Sequence, residues 1–218
     1  MKAIAIDGPA GSGKSTIARL LAKKLKIQYL DTGAMYRAVT WYLMEKKVDI
    51  DDEKAIEESL SAFQLEIEGD QFFVNKKNVT HLIRSDSVTE NVSKVSAYSA
   101  VRNFLLGFQQ EEARKSFHVL EGRDIGTKVL PDADLKIFLT ASPEVRAHRR
   151  RLDKESSSTK TYEETLKAIV QRDEYDSKRK ISPLKKAPDA LLLDTSAMSA
   201  DEVVEAIYQL WIDRQGLQ

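Results

Sequence analysis

The sequence predicts an α/β fold: a five-stranded parallel sheet covered by helices on both faces, with a small β-sheet insert and a helical lid. Three observations carry that expectation. A short apolar strand near the N-terminus runs into a glycine-rich loop and then a helix. Four more short apolar runs end in small or polar residues, each with a helical pattern downstream. One stretch between them breaks this rhythm and alternates like a hairpin.

Ala3-Ile4-Ala5-Ile6 has the length and β-branching of a buried strand. Gly8, Pro9, Ala10, Gly11, Ser12, Gly13, Lys14, Ser15 and Thr16 follow it and read G-x-x-x-x-G-K-S, the phosphate-cradling P-loop pattern. From about Lys14, Ile17, Ala18, Leu20, Leu21, Ala22 and Leu25 recur at helical spacing. The glycines let backbone N–H groups turn onto phosphate oxygens, and the helix N-terminus adds partial positive charge. The loop is thus expected to bind a nucleoside triphosphate, with Lys14 reaching the β- and γ-phosphates and Ser15 ligating Mg²⁺. Asp7, just ahead of the loop, either holds a Mg²⁺ water or ends the strand.

The other four core strands are read at Gln28-Tyr29-Leu30, Phe117 to Leu120, Leu135 to Leu139 and Ala190 to Leu193. Their polar ends, Asp31-Thr32-Gly33, Glu121-Gly122-Arg123-Asp124, Thr140-Ala141-Ser142 and Asp194-Thr195, should share one sheet edge with the P-loop, where α/β sheets bind ligands. Between about Asp49 and Ser93 the alternation stops. A helix over Asp51 to Ala62 precedes the run Leu65 to Asn75, which is a hairpin turning at Gly69-Asp70. Lys76 to Thr80 supplies a third, edge strand. One long helix is expected from Glu90 to Ala113, with Val92, Val95, Val101, Leu105 and Phe108 inward. Pro143 to Arg151 and Tyr162 to Arg179 read as two helices joined by the polar tip Lys154 to Lys160, a lid beside the nucleotide. Ser199 and Glu202 form a capping box for a final helix that buries Val203, Val204, Ile207, Leu210 and Trp211.

Composition narrows the function classes. The 218 residues suit one domain with an insert, and 42% hydrophobic with 31% charged residues fits a globular chain. The 34 basic residues cancel the 34 acidic ones, so no overall field draws the protein to nucleic acid or an anionic membrane. There is no cysteine, which excludes disulfides, thiolate metal sites and a cysteine nucleophile. His81, His118 and His148 are scattered, against a histidine base or metal centre. With no membrane-span-like run and the first strand reaching the loop by residue 8, a cytoplasmic protein is expected.

Phosphoryl transfer spreads negative charge over the moving group, so the enzyme must supply cations and positioning. A phosphorylated acceptor needs further neutralisation, which suits the permanent, forked charge of arginine. Arg37, Arg102, Arg123, the Arg146 to Arg151 group, Arg172 and Arg179 lie near the predicted edge features. Solvated helix faces with surface ion pairs are the plainer reading of any one of them. Trp41, Tyr36 and Tyr42 read as core rather than base-stacking groups. A kinase for another small acceptor, or an ATP-driven switch using Arg149-Arg150-Arg151 on nucleic acid, would share the P-loop.

Several segments in order resemble the bacterial cytidylate kinases, a family of P-loop nucleoside monophosphate kinases. They are Ile6 to Ser15, Leu30-Asp31-Thr32-Gly33-Ala34-Met35-Tyr36-Arg37 and Glu121-Gly122-Arg123-Asp124-Ile125-Gly126-Thr127. Pro131-Asp132-Ala133, Phe138 to Ser142, Arg146 to Arg150, Arg172-Asp173 and Ala190 to Thr195 complete the series. The resemblance covers nearly the whole chain and implies MgATP-dependent phosphorylation of CMP and dCMP by a P-loop three-layer fold. It implies one kinase domain over 1–218: a core (about 1–35, 115–142, 181–218), a CMP-binding region with the β insert (about 36–114) and a lid (about 143–180). It also implies that Arg37 and Arg123 hold the acceptor phosphate. Thr32, Ser93, Arg102, Asp124 and Arg179 would surround the cytosine, with Arg172 and Asp176 near sugar and phosphates. Lys14, Arg123 and Arg172 are the expected catalytic cations, joined by Arg149 or Arg150 from the lid. Thr32 stands where many relatives have serine, which keeps the hydroxyl. ATP, CMP or dCMP and Mg²⁺ are the expected partners of a monomer.

Overall fold

In the computed structural model, residues 2–152 and 160–216 are described. The tip read from Lys154 to Lys160 lies outside them except for Lys160. Along the chain come β1 (Ala3–Asp7), α1 (Lys14–Leu25), β2 (Gln28–Asp31), α2 (Thr32–Glu45) and α3 (Glu53–Leu60). Next are β3 (Leu65–Glu68), β4 (Gln71–Val74), β5 (Lys77–Asn78), α4 (Asp86–Val95) and α5 (Ser99–Lys115). The chain closes with β6 (His118–Gly122), β7 (Leu135–Thr140), α6 (Pro143–Leu152), α7 (Tyr162–Lys178), β8 (Leu191–Asp194) and α8 (Ala200–Gly216).

Two compact units result: one from the described residues up to Asp31, Gln109–Leu152 and those from Thr161 on, the other from Thr32–Phe108 with Lys160. In the first, a five-stranded sheet runs in the order β2-β6-β1-β7-β8, every pair parallel. Its middle strands are apolar without alternation because helices cover both faces. Ile4, Ile6, Val119, Leu135, Ile137 and Leu139 pack with Ile17, Ala18 and Leu21 of α1 and with Val203, Ile207 and Trp211 of α8. The predicted capping box starts α8, with Ser199 and Glu202 exchanging hydrogen bonds. Register aligns Asp31 with Glu121, Asp7 with Gly122 and Phe138, and Thr140 with Asp194. The polar strand ends therefore line one edge, as the sequence predicted.

In the second unit the predicted hairpin forms as β3 and β4, antiparallel, with β5 as the edge strand. Gly69 sits at φ 59 in the turn, a left-handed conformation that glycine adopts without strain. The sheet covers its inner face with Leu65, Phe72 and Val74, while Phe63 stacks edge-on with both Tyr42 and Phe104. Tyr36 and Tyr42 are buried, and Trp41 is half-buried beneath the Lys77 ammonium.

One expectation needs correcting: the single helix over Glu90 to Ala113 is two helices, α4 and α5, with a break at Ser96 to Tyr98. The Ser96 hydroxyl donates back to the Ser93 carbonyl, and the next amides close tight turns onto Lys94 and Val95. The buried Arg102 guanidinium then donates to the Ser96 carbonyl, giving a partner to an oxygen that a continuing helix would have used. A second feature invisible to periodicity is the π-helical turn Ile125–Val129 after β6.

Candidate active site

The glycine loop departs from the C-terminal end of β1, and its glycines are required by space at Gly8 and Gly11 and by backbone conformation at Gly13. A Cβ on Gly8 (φ +154) would stand 2.0 Å from the Leu139 carbonyl oxygen. Gly13, at φ 89, sets the left-handed entry into α1, so the first amides of that helix face the loop. Lys14 is buried in the loop, and its Nζ donates to the Pro9 carbonyl at 2.8 Å. Burial and the nearby Arg123 charge pull its pKa down to about 7, against the opposing pull of Glu121.

Ser15, next along, donates its hydroxyl to the Glu121 carboxylate. Glu121, next to last in β6, pairs with Asp31 of β2, is itself buried, and accepts a second hydrogen bond from Tyr29 Oη at 3.1 Å. Burial and the Asp31 charge push the Glu121 pKa up, eased by Lys14, Ser15 and Arg123. Two buried carboxylates and a serine hydroxyl are hard oxygen donors, a set that fits Mg²⁺. Among the described residues no group of three or more His, Cys, Asp or Glu could hold a metal alone. Magnesium takes one or two carboxylates and completes its shell with phosphate and water.

A second cluster lies beyond β6. Arg123 donates through Nε to Asp176 Oδ2 at 3.1 Å and through Nη1 to the Gly122 carbonyl. Arg179 lies 3.8 Å from both Asp124 and Asp176, and its Nε donates to the Ser182 carbonyl at 2.5 Å. Arg172, one helical turn before Asp176, has its pKa lowered to about 10 by burial and by Arg123 and Arg150 nearby. Its buried Nε has no hydrogen-bond partner among the described residues. Cations pressed together with an unpartnered donor form a ready site for a polyanion. The structure thus brings Lys14, Arg123, Asp124, Arg172, Asp176 and Arg179 into one neighbourhood.

Asp7, 4% exposed, accepts from the amides of Ile125 and Gly126, each at 2.8 Å. Burial still dominates, raising its pKa to about 6. The carboxylate anchors the turn that follows Arg123 and Asp124. Arg149 donates to the Thr195 hydroxyl at 2.9 Å and to the Thr195 and Met198 carbonyls, which ties α6 to the loop before α8. The charge of Arg150, by contrast, is felt at Arg172.

In the second unit, Thr32 opens α2 and is buried. Arg37, one turn on, donates to Thr89 Oγ1 at 2.7 Å and to the Ile83 carbonyl. Ser93 lies on α4, half-buried, and Arg102 stands over the Tyr36 ring with its carbon 5.3 Å from the ring centroid. Sequence reasoning gave no role to Glu121, Asp31 or Asp173, although the first two are acidic residues at the ends of neighbouring predicted strands. That placement was the available signal.

A model of the cytidylate kinase family matches residues 4–212. A cytidylate kinase of Carboxydothermus hydrogenoformans is 48% identical over 95% of this chain and 96% of its own length. Those of Fusobacterium nucleatum and Shouchella clausii are likewise 48% identical, covering 94% and 95% of this chain and 94% of each relative. Among solved structures, a shikimate kinase of Bacteroides thetaiotaomicron superposes with TM-score 0.53 at 18% identity, covering 96% of this chain and 98% of that one. A shikimate kinase of Acinetobacter baumannii gives 0.52 at 14% identity, covering 98% and 94%. At those identities the structural matches speak for the fold alone. Among the described residues no helix is long and apolar enough to cross a membrane.

Proposed function

The chain belongs to the cytidylate kinase family, and we propose on that footing that it transfers the γ-phosphoryl group of ATP to CMP or dCMP, giving ADP and CDP or dCDP. The observation that carries this reading is the cationic neighbourhood of the loop, where burial and then the Arg123 charge depress both Lys14 and Arg172. Cations so placed repel one another until negative charge arrives between them, and a phosphoryl group in transit supplies it.

In this reading Gly8 to Thr16 cradle ATP, and Lys14 follows the charge from the γ- to the β-phosphate. Ser15 is the residue assigned to Mg²⁺, supported by Glu121 and Asp31; the ion, when bound, offsets the charge on the β- and γ-phosphates. Asp7 is assigned to anchoring the 125–126 amides, since both of its oxygens already accept from them. Of the two lid candidates, Arg150 is assigned to the moving phosphoryl, because Arg149 is committed to Thr195 and Met198.

Residues 36–114 contribute acceptor binding, with Arg37 and Arg123 on the CMP phosphate. Thr32, Ser93, Arg102, Asp124 and Arg179 are assigned to the base, and Arg172 and Asp176 to sugar and phosphates. Asp124 accepts from the cytosine N4 amino group, and arginine donates to the ring acceptors. Uracil offers O4 at that position, leaving the carboxylate facing an acceptor, and sites built on buried hydrogen bonds reject such analogues by up to ~10⁴–10⁵-fold. The enzyme is proposed to work as a cytoplasmic monomer, where both nucleotides are available. Chromatography of a mixture with MgATP and CMP should show CDP and ADP rising together; ADP without CDP would overturn the proposal.

A further inference from the structure

The tip of the glycine loop is held by a feature with no part in the assignments above. Pro9 and Ala10 have no polar side chain, and Ala10 is only 8% exposed, so its peptide groups need partners from elsewhere. They find them on two helices. The Ala10 amide donates to Asp173 Oδ1 of α7 at 3.0 Å. The Ala10 carbonyl accepts from Arg146 Nη1 of α6 at 2.9 Å. Arg146, 5% exposed, also donates to Asp173 Oδ2 through Nη1 and to the Ala141 carbonyl, just past β7, through Nε at 2.9 Å. A single ion pair thus grips both sides of one loop residue. Gly11, at φ +74, closes the fit: a Cβ there would lie 3.0 Å from the Arg146 carbonyl oxygen and 3.4 Å from Ile169 Cδ1.

On each helix the gripping residue sits beside candidate catalytic cations. Arg172 directly precedes Asp173, and Arg149 and Arg150 follow Arg146 by about one helical turn. We propose that Arg146 and Asp173 are positioning residues that clamp Ala10 and so set the register between the ATP loop and the arginines of α6 and α7. The proposal rests on Gly8 to Thr16 being the ATP loop. Its consequence is selective: without the clamp the loop amides and Lys14 lose their aim at the arginines, which burdens ATP use and turnover, while the cluster of Arg123, Asp124, Asp176 and Arg179 keeps its own contacts.

The test compares Asp173→Ala, Asp173→Asn and Arg146→Lys with the unaltered protein, using steady-state kinetics and calorimetry with ATP and CMP separately. Misplacement by about 1 Å costs on the order of 10²-fold in rate, and a loss of that order in kcat/KM for ATP is expected for Asp173→Ala. CMP affinity should stay within about twofold. Asp173→Asn keeps an oxygen for the Ala10 amide but loses its charge toward Arg146, and Arg146→Lys keeps the charge but not the forked contacts, so both should fall between Asp173→Ala and the unaltered protein. The folding of that near-isosteric variant is checked by its thermal midpoint. An unchanged kcat/KM for ATP in Asp173→Ala overturns the clamp, as does an equal loss of ATP and CMP affinity with early unfolding, which marks a plain structural pin. Failure of the unaltered protein to bind ATP overturns the reading underneath instead, so the two failures are distinguishable.

Discussion

Binding of ATP should draw nearly one proton out of solution at pH 8, and Lys14 should receive it. Burial and Arg123 pull this lysine down to about 7 in the free protein. One pH unit above that value, about ten proteins carry it neutral for each one that carries it charged. The β- and γ-phosphates place negative charge against the ammonium and restore the ordinary lysine range. Each bound ATP then takes up about 0.9 proton at pH 8 and only about 0.1 at pH 6. Calorimetric titration in two buffers of unlike ionisation heat reads this number directly. Lys14→Met should abolish the uptake along with turnover, and Arg123→Ala should reduce it by removing the largest neighbouring cation. Uptake below about 0.2 proton at pH 8, or uptake that survives Lys14→Met, would refute the reasoning. The same shift bears on stability. The folded-state value lies below the unfolded 10.5, so the unfolded chain binds more protons between about pH 7 and 10.5. Stability of the free protein from this group therefore rises with pH across that window, a slope that Lys14→Met should lack.

Three other perturbations probe separate parts of the site. Asp124→Ala should narrow the CMP-to-UMP ratio of kcat/KM by at least about tenfold, and an unchanged ratio would remove Asp124 from base recognition. Glu121→Gln removes one of two carboxylates beside Ser15, so the Mg²⁺ concentration for half-maximal rate should rise about tenfold; an unmoved Mg²⁺ curve would dissociate Glu121 from the metal. Gly8→Ala forces a Cβ to within 2.0 Å of the Leu139 carbonyl in a left-handed conformation, and should cost about 3 kcal/mol or more in urea unfolding. A midpoint like that of the unaltered protein would show that the loop relaxes freely.

Strand content was legible because each core strand combines a short apolar run with a polar end, and the two signals agree. The hairpin was legible because Gly69-Asp70 interrupts strict alternation. The long helix misled because Val92, Val95, Val101 and Leu105 stay near helical spacing across Ser96 to Tyr98, where the Ser96 hydroxyl bonds back to Ser93 and the Arg102 guanidinium, six residues on, takes the Ser96 carbonyl. No local propensity encodes that contact. The site shows the same division. The family resemblance implies roles for Arg123, Asp124, Arg172, Asp176 and Arg179, and the structure groups them through Arg123–Asp176 and Arg179–Asp124 contacts and the charges felt at Arg172. Asp173 and Arg146 stand in the Arg172-Asp173 and Arg146 to Arg150 segments of that resemblance, yet their grip on Ala10 joins residues 136 and 163 positions apart and could be read only from the fold.

The acceptor profile tests the central claim most directly. ADP release should be measured with MgATP against CMP, dCMP, UMP, AMP and shikimate at equal concentrations. The account predicts the highest kcat/KM for CMP or dCMP, with UMP well behind. A maximum on any acceptor other than a cytidine nucleotide, or ADP release that needs no acceptor, would contradict it.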